Sequence, residues 1–145
     1  MPVIEHSSRR FFLGLCVSLT LRADEGLSTL KLVTNLAAKL SDGNLPGVLE
    51  AFAKTMNGYQ NLVADLGALT NQYDVICVIE IREESGDEAQ RNADTEWFVQ
   101  LKSKQDEGPT ERRTVPVRIS TARLKGKWRI MAIEPQSVLA PPQVR

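Results

Sequence analysis

The stretch Asp94-Thr95-Glu96-Trp97-Phe98-Val99-Gln100-Leu101-Lys102-Ser103 alternates polar and apolar side chains more cleanly than any other part of the chain. Trp97, Val99 and Leu101 fall on one face of a strand, and Asp94, Glu96, Phe98, Gln100 and Lys102 on the other. A period of two sustained this long specifies a half-buried antiparallel β-strand. One face must be core, and alternation alone does not say which. The face with two carboxylates, an aromatic ring, an amide and an amine is either a solvated surface or the lining of a pocket.

Further strands lie on both sides of it. Tyr73 to Arg82 is β-branched and nearly continuous in its apolarity, which reads as a central strand covered on both faces. The polar segment Glu83 to Arg91 turns at Ser85-Gly86-Asp87 and returns the chain. Gly108-Pro109 makes the next turn and leads into a strand over about 112–125, where Val115, Val117 and Ile119 alternate with polar residues. Pro116 lacks an amide donor and belongs on an edge or at a bulge. Lys125-Gly126 is a tight hairpin turn, after which Trp128, Ile130 and Ala132 alternate with Arg129, Met131 and Ile133.

Ahead of the strands the period changes to that of helices. Ser28 can cap a helix with Leu30, Val33, Ala37 and Leu40 on one side and Asp42-Gly43 as its stop. Asn44 can cap a second, short helix that tolerates Pro46 in its first turn, carries Val48, Leu49 and Phe52 inward, and ends near Lys54. Asn57 and Gln60 have capping-box spacing, and Leu62, Leu66 and Leu69 form the seam of a third helix ending near Asn71. Three helices followed by four strands with short connections specify an α+β fold, with the helices packed on an antiparallel meander. At 145 residues and 42% hydrophobic, one such domain is expected, over 27–136, with a Pro-rich tail at 137–145.

Residues 1–26 carry a different signal. Ser8-Arg9-Arg10-Phe11-Phe12-Leu13-Gly14 precedes an apolar run from Phe11 to Leu21, the layout of an export signal. It resembles the bacterial twin-arginine motif S-R-R-x-F-L-K at Ser8, Arg9, Arg10, Phe12 and Leu13, with Gly14 departing at the last position. The resemblance implies passage through export machinery, processing near Ala23, and a periplasmic or secreted protein; without it the chain is expected in the cytoplasm. Cys77 would then be the one cysteine of the mature chain, so no internal disulfide holds it together.

Composition narrows function. Eighteen basic residues balance eighteen acidic ones, so no net field favours nucleic acid. One histidine and two distant cysteines supply neither a zinc site nor a Ser-His-Asp or Cys-His machine, and no cofactor or metal is expected. There is no Gly-rich phosphate loop.

The three helices, the curved meander and the closing Lys125-Gly126-Lys127-Trp128-Arg129-Ile130 hairpin resemble the nuclear transport factor 2-like superfamily. Gly126, Trp128, Arg129 and Ile130 match its closing turn, and Trp97-Phe98 match an aromatic pair on an inner strand. The resemblance implies a cystatin-like cone, in which a strongly curved sheet and the helices enclose a cavity. In ketosteroid isomerase-like and polyketide cyclase-like members, a tyrosine or acid and a basic carboxylate work inside that cone, where burial raises the carboxyl pKa. Tyr59, Glu80 and Glu96 are the candidates for such acid-base roles, though no shared motif aligns them with the isomerase. The alternative is a noncatalytic domain binding a small apolar ligand or a protein, with Glu96, Phe98, Gln100, Arg118 and Arg129 as contacts and a homodimer formed through the sheet. The plain reading of those charges is a solvated face with cross-strand pairs such as Glu96 with Arg118.

Overall fold

The structure is a computed structural model and describes residues 27–105 and 108–142. The export motif Ser8, Arg9, Arg10, Phe12 and Leu13, with Cys16, lies outside the described residues. No helix among the described residues is long and apolar enough to cross a membrane.

Helix α1 occupies residues 27–41 and turns Thr29, Val33, Leu36, Ala37 and Leu40 inward. Leu30, expected on that side, is 44% exposed, because the inward stripe at 100° per residue passes through Leu36 instead. The helix stops where Gly43 takes φ 70, with Gly43 N–H bonded to Leu40 O and Asn44 N–H to Lys39 O. Those two bonds form a Schellman motif, whose left-handed position suits glycine. Asn44 at once caps the next helix, α2 (Leu45–Leu49), its Oδ1 accepting the Gly47 amide at 3.0 Å. This element is a single turn, shorter than expected, so the described residues hold two long α-helices and one short one. Beyond it the chain turns at Glu50 and Ala51, and Ala51 O and Ala53 N–H bond both backbone groups of Ile130. Phe52 therefore sits in a short bridge to the last strand rather than in a helix.

Helix α3 (Tyr59–Gln72) buries Leu62, Leu66 and Leu69 as their spacing predicts. Its N-cap is Gly58 at φ 78 with no side-chain cap, so the Asn57/Gln60 box does not form; Gln136 Nε2 donates to Gly58 O instead. The helix passes directly into the sheet.

The strands β1 (Tyr73–Gly86), β2 (Gln90–Ser103), β3 (Thr110–Leu124) and β4 (Lys127–Glu134) form one antiparallel meander in the order β1-β2-β3-β4. The β1–β2 turn is shorter and further along than expected, at 87–89. Lys125 and Gly126 both adopt positive φ, 51 and 80, which matches the twist of the flanking strands. Two bulges curl the sheet: Arg82 is extra in β1, and Met131 is extra in β4. The second shifts the phase of β4, so Ile130 and Ile133, three residues apart, both point inward and the simple alternation expected there does not hold.

Core packing lies on the side of Trp97. Val75, Cys77, Trp97, Val99, Leu101, Val117, Ile119, Ile130 and Ile133 meet the helices, while Ile76, Val78, Glu96 and Phe98 face outward. A 3-10 turn, Gln136–Leu139, brings Val138 and Leu139 into that core, and Arg113 Nη1 holds the turn through Val138 O at 2.9 Å. Packing of the chain thus continues past residue 136.

Candidate functional site

A cone enzyme needs a cavity on the inner side of the sheet, and here apolar side chains without exposure pack on that side. Trp97 is fully buried among Leu62, Leu66, Leu101 and Ile119, all of them also without exposure. Its indole Nε1 donates to Thr95 Oγ1 at 2.9 Å, and that hydroxyl donates to Val117 O at 2.6 Å. Among the described residues no buried side-chain polar atom lacks a partner, so the interior presents no unmet group to a ligand.

A second polar cluster sits at the turn end of β1 and β2. Glu84 faces inward because the Arg82 bulge changes which residues of β1 point to the core. Its carboxylate accepts from Arg91 Nε, from Arg91 Nη2 at 2.8 Å and from the Thr29 hydroxyl at 3.1 Å. Arg91 Nη1 donates to Asp87 O at 3.1 Å. The Arg91 hydrogen bonds hold the Glu84 carboxyl below the ordinary range, outweighing the opposing effect of burial, and Thr29 adds to them. A carboxylate so held is a poor proton acceptor at neutral pH. It ties the start of α1 to the β1–β2 hairpin. Burial pushes the Cys77 thiol up to about 12, so it carries no thiolate chemistry either.

The expected site residues divide between three places. Glu80, Glu96, Phe98, Gln100 and Arg118 share the outer face of the sheet. Glu80 and Glu96 are direct cross-strand partners, with Arg82 3.3 Å from Glu80. Phe98 stands between Val78 and Thr114, and Gln100 accepts from Arg112 Nε at 3.2 Å. Arg118 pairs with Asp94 at 3.0 Å and not with Glu96, which the register sets against Pro116. Tyr59 lies elsewhere, half-buried against the core in the first turn of α3. Arg129 is separate again, donating to Glu50 O beside α2. Tyr59 and Glu96 are therefore on opposite sides of the sheet.

Two open depressions were not read from the sequence. One, of ≈ 460 Å³, lies on the outer face between Glu83, Asn92, Asp94, Arg118, Ser120 and Glu134. The other, of ≈ 790 Å³, lies between the end of α2 and the β3–β4 hairpin, with Leu49, Phe52 and Ala53 below and Lys54, Arg123 and Lys127 among its rim residues. The alternation of cations at Arg123, Lys125, Lys127 and Arg129 was the available signal for the second; the contribution of α2 was not visible, since it is brought there by the Phe52–Ile130 bridge. No grouping of His, Cys, Asp and Glu able to hold a metal occurs among the described residues.

No family model matches the chain, and no curated protein matches it either. Solved structures do. A conserved protein from Planctomyces limnophilus superposes with a TM-score of 0.70 at 11% identity, over 77% of this chain and 94% of that one. A protein of unknown function with a cystatin-like fold from Nostoc punctiforme gives 0.60 at 13%, over 74% and 86%. The fold is cystatin-like, as in that protein. A candidate scytalone dehydratase from Novosphingobium aromaticivorans shares it, with a TM-score of 0.66 at 10% identity over 77% of this chain and 83% of its own. Identities this low establish the cone architecture and leave its use to the local chemistry.

Proposed function

We propose that this chain is an exported, noncatalytic binding domain that works through its outside surfaces and pairs with a second copy through the outer face of the sheet. The observation that carries the reading is the packing of Trp97 into the inner side of the cone, with its N–H satisfied by Thr95. Some structural neighbours are enzymes by name, such as the dehydratase candidate. An acid-base reaction of that kind needs a donor and a carboxylate facing one ligand, and the sheet separates Tyr59 from Glu80 and Glu96.

Support for pairing comes from the outer face itself. Ile76 is 55% exposed, Val78 51% and Phe98 37%, and the register places Val78 directly beside Phe98. Apolar side chains grouped on the outer sheet face, with Arg118, Asp94, Glu96 and Arg112 around them, make a patch that can meet its own copy with charges of both signs. Light scattering on the full chain tests this. The expected mass is twice 16.1 kDa, falling to one chain in Phe98→Glu; a wild-type monomer at all concentrations argues against it.

A further inference from the structure

We propose that the groove between α2 and the β3–β4 hairpin is a docking site for an acidic peptide segment of a partner protein, seated by an apolar side chain on Leu124 and Leu49. Its ≈ 790 Å³ falls within the range of ligand sites. Five cations, Lys54, Arg123, Lys125, Lys127 and Arg129, line it against one carboxylate, Glu50. In a chain of zero net charge, that is a strong local excess of one sign.

The shape of the groove selects among anions. Leu124 is 39% exposed, a large apolar side chain left open at a hairpin end between lysines. Phe52, the aromatic residue in the groove's described lining, is 2% exposed and presents no open face to stack a nucleobase. Phe52 and Ala53 in that lining are 2% and 3% exposed, so a flat bilayer surface would meet the cations and Leu124 but not these side chains. Several cations spread along a hairpin suit carboxylates spaced along a chain better than the single head of a fatty acid. An extended acidic segment with one apolar anchor meets all of these features.

The site is distinct from the outer sheet face, and its test separates the two. A short fluorescein-labelled peptide alternating Glu and Leu is titrated into the full chain, with an all-Glu peptide, an oligothymidine, laurate and anionic phosphatidylserine vesicles as comparisons. Saturable binding of the Glu/Leu peptide is expected, weakening with salt. It should fall about tenfold or more in Lys125→Glu/Lys127→Glu and in Leu124→Gln. These side chains are exposed, and a thermal melt checks that each variant folds. Phe98→Glu should bind as the wild type does. No binding, equal binding of the all-Glu peptide, tighter binding of oligonucleotide, laurate or vesicles, or insensitivity to the lysine reversals would each overturn the proposal.

Discussion

Trp97 donates its indole N–H to the Thr95 hydroxyl at 2.9 Å, two residues back on the inward face of β2. The hydroxyl in turn donates a hydrogen bond to Val117 O at 2.6 Å, joining β2 to β3 beneath the helices. Thr95→Val keeps the shape but strands the buried indole N–H, worth about 1 to 3 kcal/mol. Urea denaturation should show a loss in that range, with Thr95→Ser close to wild type. An unchanged midpoint in Thr95→Val would mean that the pair adds no stability.

Glu84 and Arg91 make a largely buried pair, their side chains 15% and 7% exposed. Glu84→Gln removes the carboxylate charge that accepts from Arg91 and Thr29, so it should cost about 1.5 to 3 kcal/mol at neutral pH. The sign of its pH dependence follows from the depressed carboxyl. The stabilisation is complete above the ordinary glutamate value of 4.5 and is lost as pH falls through the folded value. The difference between wild type and variant should therefore close in acid. Urea titrations at neutral pH and at about pH 2 to 3 check this, and a difference independent of pH contradicts it.

On the outer face, Glu80 and Glu96 stand directly opposite each other across β1 and β2. Like charges at such a position oppose the pairing, so Glu96→Gln should stabilise the monomeric form by about 0.2 to 1 kcal/mol. Thermal melts of Phe98→Glu with and without the change measure it, keeping assembly out of the comparison. Destabilisation by Glu96→Gln would show that the carboxylate has a partner worth more than the repulsion.

The export reading rests on Ser8, Arg9, Arg10, Phe12 and Leu13. Mass spectrometry of the protein from its native host should find a mature terminus near Ala23 or Asp24. Met1 intact in a soluble cytoplasmic pool contradicts it.

Local periodicity and turn chemistry made much of this fold readable. The alternation of Asp94 to Ser103, the Lys125-Gly126 turn and the Asn44 cap are decided by neighbours in sequence, and each is present. Which face of β2 is core was not readable, because each carries an aromatic ring; the helices settle it by packing on Trp97 rather than Phe98. The bulges at Arg82 and Met131 were also hidden, since nothing in a period-two pattern marks the extra residue. Their effects reach the site: one turns Glu84 inward to Arg91, and the other turns Ile130 and Ile133 to the same side. Arg118 was matched to Glu96 by charge alone, and a two-residue difference in register gives it Asp94. The groove beside α2 depends on a bridge between residues 52 and 130, a separation no local pattern encodes.

The noncatalytic function proposed above turns on Trp97 packing the inner side of the sheet. Xenon binding to crystals of the wild type and of Trp97→Ala tests it most directly, with urea denaturation confirming that the variant folds despite an expected loss of about 3 to 5 kcal/mol. Wild-type crystals should hold no xenon between the helices and the inner face of the sheet, and Trp97→Ala should hold it at the vacated indole. Xenon within the wild-type cone, beside an intact Trp97, would contradict the claim and return the interior to consideration as a binding site.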